Sequence, residues 1–505
     1  MAKYLPTIGL EVHAELKTRT KMFCDSRNDP DEKRPNVNIC PICMAHPGTL
    51  PVINKAAVRH VLRVGTALGA TLADFTEFDR KSYFYPDLPK GYQISQYKYP
   101  LVSGGSLNGV AITRVHLEED AARNQHLSAT ESVVDFNRAG VPLMELVTEP
   151  VITSAKQASD FARELQLLLR YLGASDANMD KGEMRVEANI SVAKAPDMLA
   201  SADTRGTDAE GREKMQTLGT KVEVKNLNSF KVVEKAIEYE LARQVKELEA
   251  GGTIRQETRG WDDAKQATYS QREKQSSHDY RYFPDPDLPK LKLSGCPEFA
   301  NLRETLPELP WERRERLKTV FGLKDEAAEI FVGDHFLGSF FEETVKGKEG
   351  EKGFVALAAN YITSDLMALM KAEDPRADLG EDEATDRLIA ITPAEFAKLI
   401  CMLADGEISS RAGKDILLAL FATGGSPRAY AETNGLMQKS DEGTLSVVVH
   451  DVITANESVA ADVRGGKLAA LQFLVGQAMR ETKGSANPAV LRKMFAEKLG
   501  ITSDI

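Results

Sequence analysis

The sequence predicts an α+β protein: an antiparallel sheet with one apolar and one acid-bearing face, followed by two all-α domains. Three observations carry this reading. Residues 8–17 alternate strictly between apolar and polar side chains, the pattern of a strand with one buried face. Four later segments repeat or extend that pattern with acids on the polar side. Beyond about residue 298 the strand patterning disappears and helical periodicity with cap signals replaces it.

In the first strand Ile8, Leu10, Val12, Ala14 and Leu16 alternate with Gly9, Glu11, His13, Glu15 and Lys17. Solvated strand faces are often charged, so one such segment is weak evidence of a site. Recurrence strengthens it. In Met184–Ser191, Val186, Ala188 and Ile190 alternate with Arg185, Glu187, Asn189 and Ser191. In Lys221–Lys225, Val222 and Val224 flank Glu223, and Val115–Asp120 is a fourth acid-rich stretch. Leu143–Val147 places Glu145 inside an apolar run, where a carboxylate needs a partner or a cation. Oxygen and nitrogen donors on a rigid sheet suit a catalytic cation.

Ser154 can cap a helix whose Phe161, Leu165, Leu168, Leu169 and Leu172 form one stripe closed by Gly173. A second helix carries Val233, Ile237, Leu241, Val245 and Leu248 and stops at Gly251-Gly252. Both stripes read as packing against the sheet. Ser103-Gly104-Gly105-Ser106 reads as a hairpin turn, and residues 192–219 as an exposed insertion. A Pro-rich stretch, 283–289, ends the sheet region. The expected domains are therefore 1–297, 298–408 and 409–505, with the last boundary near Gly406–Ser410. Thr392-Pro393 and Asn487-Pro488 open two of the helices, the second with Val490, Met494 and Phe495 on its apolar side.

With 505 residues the chain exceeds what one core sustains. No uninterrupted apolar run approaches the roughly 20 residues that span a bilayer. The N-terminus runs into the first strand without a signal pattern. Five cysteines in this length argue for a reducing compartment, so a cytoplasmic globular protein is expected. The net charge of −11 disfavours nucleic-acid binding by the whole surface. Residues 411–505, with 11 Lys/Arg against 10 Asp/Glu, differ from that acidic body.

Neither a P-loop nor a strand-linked Gly-x-Gly-x-x-Gly is present, so a bound nucleotide would need metal ions and the acidic sheet. No amide-hydrolysing nucleophile stands out. Cys40-Pro41-Ile42-Cys43, with Cys24 before and His46 after, has zinc-knuckle spacing, against the plainer reading of free loop thiols. Cys296 and Cys401 stand alone and are expected to be buried. Residues 78–93, echoed at 279–285, interleave cations with aromatics, a mixture that stacks bases or simply packs a loop. Packing is the favoured reading.

Taken in order, these residues resemble the GatB family, the B components of the bacterial aspartyl/glutamyl-tRNA amidotransferases. The segments that carry the likeness are Gly9–His13, Phe78–Gln96, Leu117–Asp120, Pro142–Pro150, Arg185–Ser191, Glu223–Ser229, Glu257–Arg259, Asp279–Leu288, Phe473–Gln477 and Lys483–Pro488. The resemblance implies a glutamine-synthetase-like cradle, a helical domain and a small helical tail that contacts tRNA. It implies that ATP phosphorylates the side-chain carboxylate of Glu-tRNA(Gln) or Asp-tRNA(Asn), and that ammonia then displaces phosphate. The ammonia would come from the amidase GatA, with the small protein GatC completing a heterotrimer.

By that resemblance Glu11, His13, Glu119, Glu145, Glu187 and Glu223 line the reaction centre. Glu11, Glu119 and Glu145 are the first choices for magnesium, His13 a less natural ligand, and Arg80 and Lys225 candidate phosphate contacts. Three departures bear on this. Glu187 stands where the family commonly has Asp, a longer reach that would make a direct ligand water-mediated. Ser26 replaces a frequent cysteine, so Cys24, Cys40 and Cys43 need His46 to complete a zinc site. The 192–219 segment is longer than in compact relatives. Two other readings stay open: a tRNA-binding scaffold with a dead site, and a stand-alone carboxylate–amine ligase. Intact acids disfavour the first; the helical tail and missing ammonia source disfavour the second.

Overall fold

Ten strands build the principal sheet of the computed structural model. They are β1 (Tyr4–Glu15), β2 (Thr71–Leu72), β3 (Val102–Ser103), β4 (Ser106–Leu107), β5 (Val110–Glu119), β6 (Pro142–Thr148), β7 (Met184–Lys194), β8 (Val222–Leu227), β9 (Glu257–Asp262) and β10 (Ala267–Glu273). Their order is β10-β9-β8-β7-β1-β6-β5-β3-β2, with β4 on β5. The structure describes residues 4–29, 31–128, 130–194, 218–273, 280–373, 389–438, 442–467, 469–482 and 486–501. Most of the expected 192–219 insertion, together with Asp279 and Lys483–Ser485, lies outside the described residues.

The alternation of β1 sets the architecture. Ile8, Leu10, Val12 and Ala14 are fully buried, and each large apolar side chain so buried contributes about 1.5–3 kcal/mol. Three helices, α1 (Lys55–Ala67), α2 (Ala155–Tyr171) and α3 (Phe230–Glu249), cover that face: α2 packs on β1, α3 on β7 and β8, and α1 on β5. Ser154 caps α2 by accepting from the Gln157 amide, and Gly173 leaves it with φ +59°. The opposite face carries the polar residues and remains open.

Three details differ from the sequence reading. The sheet is antiparallel except for β8 and β9, which run parallel because α3 provides the crossover between them. In α3 the buried side includes Val233 and Ile237 but also Glu240 and Gln244, while Leu241, Val245 and Leu248 are half-buried. Glu240, fully buried, is held by Arg243 at 2.6 Å and Arg259 at 3.5 Å. Finally, Gly104-Gly105 is not a hairpin turn, since the segments on either side of it both pair with β5. The reversal is Asn108-Gly109, both at positive φ as a tight hairpin requires.

The chain divides into two compact units, Met1–Pro310 and Trp311–Ile505. The second is helical: α4 (Pro310–Thr319), α5 (Asp325–Gly333), α6 (His335–Val345), α7 (Lys352–Tyr361), a π-turn at Ile362–Leu366, α8 (Met367–Glu373), α9 (Pro393–Ala404), α10 (Ser410–Thr423), α11 (Pro427–Thr433), α12 (Glu442–Ala455), α13 (Glu457–Arg464), α14 (Ala469–Glu481) and α15 (Pro488–Leu499). Thr392 and Asn487 cap α9 and α15 through their side chains. The expected boundary near Gly406–Ser410 falls between α9 and α10, which pack together. Helices α12–α15 share a separate core around Val449, Leu474, Leu491 and Phe495. Among the described residues the helical run Lys352–Ala372 is long and apolar enough to cross a membrane; its α7 packs on α6 and α9.

Candidate active site

Strand register assembles the open face. Glu11 of β1 stands opposite Glu187 of β7, and His13 stands between Glu145 of β6 and Arg185 of β7. Glu145 in turn faces His116 of β5, and Asn189 of β7 faces Glu223 of β8. Because side chains alternate across a strand, all of these project from the side opposite the core. A cavity of ≈ 640 Å³ lies over them.

Two groups of donors result. In one, His13 Nε2 lies 3.3 Å from Glu145 and 3.7 Å from Glu118. His116 Nε2 is 3.2 Å from Glu145, and Ser95 donates to Glu118 at 2.9 Å. In the other, Glu11, Glu187 and Glu223 bring carboxylate oxygens within 4.8 Å of one another, as His13, Glu118 and Glu145 do with their own donor atoms in the first. Asn189 donates to Glu11 at 2.7 Å, Lys225 lies 2.8 Å from Glu187, and Thr258 donates to Glu223 at 2.7 Å.

The electrostatics follow from crowding buried acids. Burial presses the His13 pKa down, but Glu145, then Glu118 and Glu187, outweigh it and raise it to about 9. His116 is raised by Glu145 and Glu118 against its own burial. Burial opposes ionisation of Glu145, yet the two imidazoles hold it well below the usual carboxylate range. Lys81 is also raised, its burial outweighed by Glu118 and the surrounding acids and tyrosines; its ammonium lies 5.7 Å from the Tyr83 ring and 5.1 Å from the Tyr280 ring. Part of the cation–aromatic stretch therefore lines the cavity wall.

These donors suit a hard divalent cation. Five carboxylates converge, and Asn189 adds a buried Oδ1 with no hydrogen-bond partner among the described residues, beside Glu11. The two imidazoles near Glu145 carry the compensating charge when protonated.

Three expected residues lie elsewhere. Glu119 faces the opposite side of β5 from Glu118: Lys90 approaches it at 2.6 Å, and the Ile94 amide donates to it at 3.0 Å. Glu118 occupies the place expected of Glu119. Arg80 is held at 2.9 Å by both Asp285 and Asp287 and stacks on Tyr92, outside the acid-lined cavity. The sulfurs of Cys24, Cys40 and Cys43 gather within 4.8 Å, but His46 is not part of that group and lines an adjoining small cavity. The Cys40 amide donates to Cys43 Sγ at 3.1 Å, and the Ser26 hydroxyl is 3.9 Å from it. Lys21, with no exposed surface, puts Nζ 3.8 Å from Cys43 Sγ, where it favours a thiolate. Cys296 and Cys401 are only half-buried.

Glu118 and His116 were legible in principle. Once Val115 and Leu117 are assigned to the core, strand phase puts 116 and 118, not 119, on the acid face. Lys21 had no signal: a lone lysine beside a strand end is indistinguishable from a surface one.

A model of the GatB/GatE catalytic domain matches residues 6–296, and one of the GatB domain matches residues 339–499. Relatives match along the whole chain. The B component of the aspartyl/glutamyl-tRNA(Asn/Gln) amidotransferase from Herpetosiphon aurantiacus is 42% identical, covering 99% of this chain and 100% of its own. The protein of the same name from Caldanaerobacter subterraneus is 41% identical over 98% and 99% of the two chains. That from Crocosphaera subtropica is 40% identical over 98% of each. The chain belongs to the GatB family of tRNA-dependent amidotransferase components.

Proposed function

We propose that this chain is the GatB component of a tRNA-dependent amidotransferase, a ligase of protein biosynthesis that converts Glu-tRNA(Gln) to Gln-tRNA(Gln), Asp-tRNA(Asn) to Asn-tRNA(Asn), or both. It works in the cytoplasm with GatA, which releases ammonia from glutamine, and with GatC. The observation that carries the reading is the strand register that sets Glu11, His13, Glu145 and Glu187 side by side on an open face.

A carboxylate is a poor acyl donor and becomes reactive once ATP converts it to an acyl phosphate. Magnesium, when bound, neutralises phosphate charge and fixes the transferring group. Glu11, Glu187 and Glu223, with Asn189 beside them, and Glu118 with Glu145 would hold it. His13, among Glu145 and Glu118, would take a proton from incoming ammonium once a bound cation has displaced its own, so that neutral ammonia attacks. Lys225, seated on Glu187, offers a cation to a phosphate oxygen. Glu119 and Arg80 would instead hold structure outside the cavity, through Lys90 and through Asp285 and Asp287.

The same reading gives residues 1–297, within the unit Met1–Pro310, the glutamine-synthetase-like cradle role. Zinc would be held by Cys24, Cys40 and Cys43, with His46, which lines the adjoining cavity, as the candidate fourth ligand. Residues 409–505 would form the tail that docks tRNA and holds the acceptor end over the cradle. Its phosphate contacts would make binding weaken steeply with salt.

The test is co-expression with candidate GatA and GatC proteins, followed by amidation assays on both misacylated tRNAs. ATP-dependent formation of either amide supports the reading. A well-assembled complex that amidates neither would overturn it.

A further inference from the structure

Beside the acid-lined cavity lies a second one of ≈ 1050 Å³, and Arg185 and Glu187 line both. Arg185 sits next to His13 in the register, on the open face. Its Nη2 lies 2.6 Å from Asp120 Oδ2. Among the described residues that is the guanidinium's one hydrogen-bond partner, so a fork of five donors is anchored at one prong.

The anchor itself is braced. Asp120 is 5% exposed and accepts from the Ala121 amide at 2.8 Å through its other oxygen. Arg138 approaches Asp120 at 3.6 Å while donating to the carbonyls of Ala121 and Ala122 at 3.0 and 3.1 Å. Arg138 thus spends its donors on backbone and holds Asp120 in place. Of the other cations lining that cavity, Lys225 lies 2.8 Å from Glu187, Lys81 faces the rings of Tyr83 and Tyr280, and Arg114 donates to His116 at 3.4 Å and lies 4.0 Å from Glu145.

We propose that Arg185 is a phosphate-binding residue at the junction of the two cavities, with Asp120 and Arg138 as the positioning residues that aim it. A planar guanidinium with free donors matches a phosphate oxyanion in two-pronged fashion, which a lysine ammonium does not. The junction is where a chain of phosphates would enter a chamber crowded with carboxylates, and a cation there offsets the repulsion. This rests on the proposed amidotransferase reaction. Two ligands share the chemistry: the triphosphate of ATP and the phosphodiester next to the 3′-terminal adenosine of tRNA.

The test uses the assembled heterotrimer with Arg185→Gln, Arg185→Lys and Asp120→Asn, measuring KM for ATP and for misacylated tRNA separately from kcat. Arg185→Gln should raise one of these KM values about tenfold or more, the worth of a charge-assisted pair. Arg185→Lys should recover part of the loss, and Asp120→Asn should raise the same KM by a smaller factor. A rise for ATP identifies the triphosphate; a rise for tRNA identifies the phosphodiester. Unchanged KM values for both in Arg185→Gln, or a loss of kcat alone, would overturn the proposal. If Arg185→Gln does not assemble, the same criteria apply to Arg185→Lys, whose thermal stability is checked alongside. A wild-type complex without ATP-dependent amidation would instead sink the underlying reading, whatever Arg185 does.

Discussion

Glu118 and Glu119 are neighbours in one strand and belong to two different regions. Glu118 opens onto the acid-lined cavity among His13, His116 and Ser95. Glu119 turns toward the cysteine-bearing side, where Lys90 and the Ile94 amide consume its oxygens. The first region crowds like charges that need a cation or protons to coexist. The second gathers three thiols against a buried lysine, with partners already supplied. Donor type and strand phase, rather than the number of acids, separate a reactive site from a structural one. An open face of hard oxygens suits chemistry; a closed knot of soft sulfurs suits holding a loop.

The largest expected effect breaks the reactive side. Glu145→Gln keeps the shape but removes the charge that His13 and His116 share, and should lower amidation kcat/KM at least about 100-fold in the assembled complex. Near-normal steady-state kinetics at limiting magnesium would show that Glu145 is no ligand.

Next comes the neighbouring pair. Glu118→Gln should lose activity much as Glu145→Gln does. Glu119→Gln should stay within about threefold of wild type per folded molecule, yet lose about 2 kcal/mol of stability because Lys90 is left without its partner. Activity assays and urea titrations on both variants read this out. The reverse pattern would restore Glu119 to the reaction centre.

On the sulfur side, freshly purified protein should contain about one zinc per chain, and Cys40→Ser should lower both the zinc content and the melting temperature. Metal-free protein of undiminished stability would leave the three thiols as loop residues.

The smallest effect is a pH dependence of the metal-free chain. The His13 pKa is raised from 6.5 to about 9, so its contribution to stability is full below 6.5 and is lost as pH rises through about 9. Magnesium competes with that proton, so its apparent affinity should grow over the same range. Calorimetric titrations at pH 6.5 and pH 9 that give equal affinity would separate His13 from the cation.

Much of this was legible in the sequence. The alternation of residues 8–17 gave a strand with Glu11 and His13 outward, and Ser154, Thr392 and Asn487 cap the helices their positions announced. Glu187 and Glu223 followed from the same two-residue period. What escaped depended on long-range partners. Arg80 reads as a free cation until Asp285 and Asp287, some two hundred residues on, close around it. Glu240, seven residues after Val233, falls on the buried stripe of its helix, where its charge looks out of place until Arg243 and Arg259 meet it there. The choice of Glu119 over Glu118 is different in kind. With Val115 and Leu117 in the core, the two-residue phase already turns 118 toward the acid face and 119 away from it.

The central claim is that the acid-lined face activates a carboxylate. It is tested most directly by giving the assembled complex ATP, magnesium and misacylated tRNA without glutamine, and trapping the activated carboxylate with hydroxylamine. Wild-type protein should form a hydroxamate that requires magnesium and ATP and disappears in Glu145→Gln. Hydroxamate formed equally well by Glu145→Gln would contradict the claim.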